Sequence, residues 1–124
     1  MPHAILLVSH LERADLPTLG PIIRFHRTFH PAGSNVNLVR IDGPHRISIR
    51  TYERGVEAET LACGTGAVAS AIIGTALGKL KPPVQVMTAG GDCLTVGFQE
   101  TRKPWEGLYL EGPAQVLFEG GIPR

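Results

Sequence analysis

Cys63 sits in the run Leu61-Ala62-Cys63-Gly64-Thr65-Gly66, directly ahead of GTGAVASAIIGTALG, a segment without a charged residue. That segment reads as a helix over Gly64 to Gly78, which places the thiol at a helix start. The first backbone N–H groups of a helix lack intrahelical partners, and the helix dipole is positive there. Both effects favour a thiolate. Gly64 and Gly66 keep the backbone bare, so a carboxylate can approach the N–H groups of Gly64 and Thr65. One short loop then offers a reactive thiol beside a cradle for an oxyanion or carboxylate. The same residues would also make a plain helix start, with Cys63 as a small buried residue and Thr65 as a cap.

Tyr52-Glu53-Arg54-Gly55 stands at the end of a predicted strand shortly before this loop. A Glu and an Arg side by side can hold the ammonium and the carboxylate of a zwitterion. In isolation such a pair reads equally as a solvated strand end. Cys93, in GGDCLTV, falls in a predicted strand and reads as a small core residue. His26 and His30 are spaced to share a helix face and bind a metal, but no third ligand is near them in sequence. The GTG and AGG triplets are not phosphate loops, since no Lys-Ser/Thr follows them. Thiol hydrolysis is a competing chemistry, with Cys63 attacking an acyl group and His3, His10 or His45 folding close as base.

Several short elements must position these groups. HAILLV, from His3, reads as a buried strand. Asp15 can cap a helix carrying Leu16, Leu19, Ile22, Ile23 and Phe25, with Pro17 in its first turn and Gly20-Pro21 as a break or kink. VNLVRI and RISIRTYE follow as a hairpin, signalled by Asp42-Gly43. In the second run Ile47, Ile49 and Thr51 alternate with Arg46, Ser48 and Arg50, the period of a half-buried strand. The Gly64 to Gly78 helix is apolar or small on nearly every face, so it should be buried on all sides. Lys79-Leu80-Lys81 and Pro82-Pro83 end it. VQVMT, CLTVGF, GLYLEG and AQVLFE then read as strands. The expected fold is α+β: about seven strands, one short helix, and a mixed β-sheet or barrel wrapped around a central buried helix.

Composition bounds the partners. The chain has 124 residues, 43% of them hydrophobic, with 12 Lys+Arg against 11 Asp+Glu. That is a single domain over residues 1–124 with one core's worth of apolar residues. Nearly cancelling charges lack the basic surplus of a nucleic-acid binder. No apolar run reaches the ~20 residues that span a bilayer, and no basic stretch precedes the first apolar run. Two cysteines without CxxC spacing argue against a disulfide scaffold and for a reducing, cytoplasmic setting.

TYERG followed by ETLACGTGA resembles the second half of diaminopimelate epimerase. PHAILLV, LPTLGPIIRFH, GSNVNLVRI and the closing GPAQVLFEG match the same family in order, so the resemblance covers essentially the whole chain. Proline racemases and hydroxyproline epimerases share the CGTG helix start but differ around the Glu-Arg pair. The resemblance implies a cofactor-independent amino-acid epimerase, converting LL- to meso-diaminopimelate for lysine and cell-wall biosynthesis, with no metal and no pyridoxal cofactor. It implies that Cys63 is one of two catalytic thiols acting on opposite faces of the substrate α-carbon. Gly64 and Thr65 would hold a substrate carboxylate through their N–H groups. Glu53 and Arg54 would bind substrate, Glu53 also serving catalysis. Asn35 would bind substrate and His3 would lie close to the thiols.

Two departures from the family pattern stand out. The family enzyme has two similar halves, each with one catalytic Cys, and this chain matches only the second. Met1 also stands where the family has an Asn before Pro-His. The expected partners are therefore the substrate and either the missing N-terminal half or a second copy of the chain. A non-catalytic fragment pairing with another chain, or a proline/hydroxyproline racemase-type isomerase, is the alternative.

Overall fold

The computed structural model describes residues 2–61, 63–98, 109–111 and 116–119. The elements run β1 (His3–Leu7), α1 (Leu16–Arg24), β2 (Asn35–Gly43), β3 (Arg46–Glu53), β4 (Ala58–Thr60), α2 (Gly64–Ala76), β5 (Val84–Met87), β6 (Cys93–Gly97), β7 (Tyr109–Glu111) and β8 (Val116–Glu119). Single 3-10 turns occupy Leu11–Arg13 and Arg27–Phe29. The fold is α+β, as expected. Eight strands form one mixed sheet in the order β1-β2-β3-β5-β6-β7-β8, with β4 pairing on β3. β1 runs parallel to β2 and β3 parallel to β5, while the remaining pairs are antiparallel. The sheet is open: among the described residues β1 and β8 are its ends and no barrel closes.

Strand alternation sorts the core into two layers. On one face Val39, Ile47 and Ile49 pack with Ala67 and Ala71 of α2 and with Val84, Val86, Leu94, Val96 and Leu110. On the other, Val36, Leu38 and Tyr52 pack with Leu11 and Leu16 beside α1. β2 is covered on both faces, so Asn35 to Val39 are all buried. The alternation read in β3 holds, with Ile47, Ile49 and Thr51 each at most 3% exposed.

α2 is the crossover between the parallel strands β3 and β5, and it lies against β1, β2, β3, β5 and β6. Its buried stripe is Gly66, Ala67, Ser70, Ala71 and Gly74. It is not buried all round, because an open sheet curls about one side of it: Ile73 and Leu77 are 41% and 58% exposed. The helix ends where Gly78 takes a left-handed φ of +76°. There Gly78 N donates to Thr75 O at 2.9 Å and Lys79 N to Gly74 O at 3.0 Å, closing the last turn before the prolines.

Three local expectations are corrected. α1 is continuous through Pro21, without a break at Gly20-Pro21. Gly20 has no Cβ to clash with the following proline ring, so the usual pre-proline restriction is relaxed. Asp15 caps α1 as expected, accepting from Thr18 N at 3.3 Å, but the helix ends at Arg24, leaving Ile22 and Phe25 exposed and Arg24 buried. The β2–β3 turn is Pro44-His45, two residues beyond Asp42-Gly43, which instead sits at a register shift. Asp42 is held there by Arg40 Nε at 2.7 Å and Ser48 Oγ at 2.6 Å. The closing AQVLFE is described only over β8.

Gly20 also faces the Tyr52 side chain so closely that an added Cβ would collide with the ring. A mid-helix Gly→Ala exchange ordinarily stabilises by ~1 kcal/mol. Here Tyr52 is buried and cannot yield, so Gly20→Ala should destabilise by about 1–3 kcal/mol, read as a fall in the urea midpoint.

Candidate active site

Cys63 is the N-cap residue of α2, in extended backbone with φ −141° and ψ 106°. Its carbonyl accepts the first intrahelical bond, from Ala67 N at 2.9 Å. Helix geometry leaves the N–H groups of Gly64, Thr65 and Gly66 without an intrahelical carbonyl. Cys63 is 9% exposed, so the thiol is sheltered rather than open. Its Sγ lies 3.5 Å from Thr65 Oγ1, and Thr65 Oγ1 lies 3.2 Å from His3 Nε2. β1 thus carries a histidine over the start of α2.

His3 is partly buried. Burial pushes its pKa below the ordinary imidazole value, and the Glu53 carboxylate opposes this. Glu53 Oε1 accepts from Thr60 Oγ1 at 3.4 Å, across the β3–β4 pair.

Asn35 stands opposite His3 in the β1–β2 register. Its Oδ1 accepts from Arg54 N at 2.6 Å, which ties the start of β2 to the turn after β3. The Arg54 guanidinium donates to Ala32 O at 3.1 Å. His3, Thr65 and Cys63 are thus linked directly, Asn35 and Arg54 form a second linked pair, and Glu53 is bonded to Thr60. Gly64 has a packing reason as well, since a Cβ there would come within 3.1 Å of Leu110 Cδ2.

Other candidates fall elsewhere. Cys93 is on β6, opposite Met87 and partly buried. His26 and His30 do not share a helix face: they flank the 3-10 turn beyond α1, where His26 Nδ1 accepts from Thr28 N at 3.1 Å. Among the described residues no three His, Cys, Asp or Glu side chains converge as a metal would require. His45 is bonded to Lys81 O at 2.7 Å, past the far end of α2, and His10 precedes the Leu11–Arg13 turn. Of the histidines considered as a base for acyl chemistry, His3 is the one linked to Cys63.

Asn37 and Arg24 belong to no motif in the sequence, and Thr51 shows there only as an inward-facing strand residue. Asn37 is fully buried in β2 and meets His3, Ala4 and Thr51. Its signal was a polar residue inside the apolar run VNLV. Arg24 donates to both carboxylate oxygens of Glu57, at 3.2 and 2.8 Å, and these bonds hold the Glu57 carboxyl below the usual carboxylate range. It was hidden because the helical pattern was read for apolar residues alone.

The model of the diaminopimelate epimerase family matches residues 1–117. A diaminopimelate epimerase from Chlorobaculum tepidum is 47% identical over 122 residues, covering 98% of this chain and 46% of that protein. One from Aquifex aeolicus is 46% identical over 98% of this chain and 43% of its own length, and one from Methanocella arvoryzae is 43% identical over 98% and 41%. The chain spans less than half the length of these curated relatives. A helix-start cysteine, a histidine brought to it by a parallel strand, and a Glu-Arg pair at the adjoining strand end agree with that match, and the chain belongs to the diaminopimelate epimerase family.

Proposed function

We propose that this chain supplies one thiol of a two-thiol, cofactor-independent epimerase acting on diaminopimelate. The observation that carries the reading is the join of Cys63 through Thr65 to His3 at the start of α2. The names of the relatives support the substrate. Removing the α-proton of an amino acid with a thiolate requires stabilisation of the developing carbanion. Without an electron sink, that stabilisation is electrostatic. The N–H groups of Gly64 and Thr65, which lack intrahelical partners, hold the substrate carboxylate as charge builds. Glu53 and Arg54 hold the ammonium and a carboxylate, with Asn35 fixing the Arg54 backbone. Cys63 exchanges a proton with one face of the α-carbon, and a second thiol serves the opposite face, inverting the centre. Shelter of Cys63 from water suits such a transfer.

One thiol cannot serve both faces. The 124-residue chain alone should therefore not convert LL- to meso-diaminopimelate. Joined behind the N-terminal portion of the Chlorobaculum tepidum relative, it should epimerise and carry solvent deuterium to the α-carbon. Cys63→Ala in that chimera should lower the rate by roughly 10²–10⁴-fold. Conversion by the chain alone, or unchanged turnover in the Cys63→Ala chimera, would overturn the assignment.

The remaining half, or a second copy, is the proposed partner. Among the described residues β1 and β8 are the ends of the sheet, where strands can pair with another chain, and Ile73 and Leu77 are exposed on and just after α2. Light scattering on a dilution series should show a dimer or larger species at about ten micromolar and above, where strand edges of this kind associate. A monomer throughout would show that these edges are self-sufficient.

A further inference from the structure

The hydrogen bonds around Asn37 have a direction that can be worked out from one fixed point. A backbone carbonyl only accepts. Ala4 O lies 3.3 Å from Asn37 Nδ2, so the amide nitrogen must face it. Turning the amide over would set Oδ1 against that carbonyl, two acceptors face to face. With the nitrogen so committed, Oδ1 points to Thr51, whose Oγ1 donates to it at 2.9 Å. Both amide atoms are then assigned by their partners.

The same Nδ2 lies 3.1 Å from His3 Nδ1. A donor there requires Nδ1 to be the accepting nitrogen. The proton of the neutral ring is then on Nε2, which faces Thr65 Oγ1 at 3.2 Å. Thr65 Oγ1 accepts that proton's bond and keeps its own hydrogen. Cys63 Sγ, 3.5 Å away, is the acceptor at hand. Asn37 Nδ2 thus donates one hydrogen to Ala4 O and the other to His3, and from Asn37 through His3 and Thr65 to Cys63 each group donates to the next.

We propose that Asn37, locked by Ala4 and Thr51, is a positioning residue that holds His3 as the Nε2–H tautomer and so leaves the Thr65 hydroxyl to donate to Cys63 Sγ. Its bearing on catalysis rests on the thiol chemistry proposed above. The tautomer itself does not depend on that chemistry. Asn37 needs a bare backbone beside it: a Cβ on Gly66 would collide with Asn37 Oδ1 and approach Cys63 Sγ to 3.4 Å. The second glycine of the CGTG run thus serves the amide as well as the cradle. Lowering of the His3 pKa by burial keeps the ring in the neutral form to which a tautomer applies.

The test is two-bond proton–nitrogen correlation of the imidazoles in the ¹⁵N-labelled chain at about pH 8.5, well above the ordinary imidazole pKa. His3 is assigned by loss of its signals in His3→Gln. The expected pattern is a single Nε2–H tautomer for His3. An Nδ1–H pattern, or an even mixture, would overturn the proposal. In Asn37→Leu the pattern should move toward a mixture, and an unchanged Nε2–H pattern would remove Asn37 from the role. Should that variant fail to fold, the spectrum of the unaltered chain still decides. In Thr65→Val the tautomer should stay, while iodoacetamide labelling of Cys63 slows by about tenfold, the scale of a lost hydrogen bond to a charged group. Equal labelling would break the last link. Failure of the epimerase chimera with the Nε2–H pattern intact would overturn the function and leave this inference standing.

Discussion

Asn37 reaches the start of α2 because Gly66 presents no side chain to it. Most of what makes this end of the molecule a site follows from that approach. β2 lies beneath the helix start, β1 lies beside β2 in parallel register, and the pairing His3↔Asn35 sets the histidine next to the loop that holds Cys63. A larger residue at position 66 would push β2 away from α2. The amide would lose its place, and His3 would lose the donor that fixes its ring. The glycine therefore matters through what it admits more than through its own conformational freedom.

The buried polar groups are affordable only because they complete one another. Asn37 and Thr51 lie inside β2 and β3 with almost no exposure, where an unpaired amide costs about 1–3 kcal/mol. Ala4, His3 and Thr51 satisfy Asn37 within the two strands that flank β2. Such a network tolerates few alternative registers. Sliding β1 by one residue against β2 would turn His3 to the other face of the sheet and set Asn37 among apolar partners. The polar cluster thus pins the strand pairing that the apolar residues only favour.

Much of the fold was readable from periodicity. β3 coincides with RISIRTYE, and α2 begins where the cysteine loop was expected to end, because alternation and an uninterrupted small-residue run are strong local signals. β4 was not read, since Ala58–Thr60 is too short to show a period. The hairpin turn was misplaced by the Asp42-Gly43 signal, because Asp42 side-chain bonds to Arg40 and Ser48 draw it into a register shift instead. Closure of the sheet and full burial of α2 were inferred from apolar content alone, which cannot say how many neighbours a helix has. At the site, Cys63, Glu53 and Arg54 were visible as a local motif. Asn35 entered only through the resemblance, while His3 was also one of three candidate bases with nothing local to single it out. Asn37 was not seen, because its role depends on three partners distant in sequence.

The Glu53-Arg54 pair shows how a strand end becomes a fixed device. An exposed pair of this kind ordinarily moves in water, and its interactions are worth little. Here the turn that carries it is held at three points. Asn35 Oδ1 binds Arg54 N at 2.6 Å, Glu57 accepts from Gly55 N at 3.3 Å, and Arg24 grips Glu57 in a two-bond pair. Arg24 is only 9% exposed and lies against Gly33, whose φ of +80° and missing side chain make room for the guanidinium. Losing Glu57 would leave a sheltered charge without its partner, a far larger penalty than loss of a surface ion pair. Arg24 and Arg54 both donate to Ala32 O, at 3.4 and 3.1 Å, so the loop before β2 and the turn after β3 share an anchor. That anchor lies on the side of the sheet covered by α1, whereas Cys63 lies on the side covered by α2. The paired strands β2 and β3 are the plate between them, and this is why residues from four separate stretches of chain can meet at one edge.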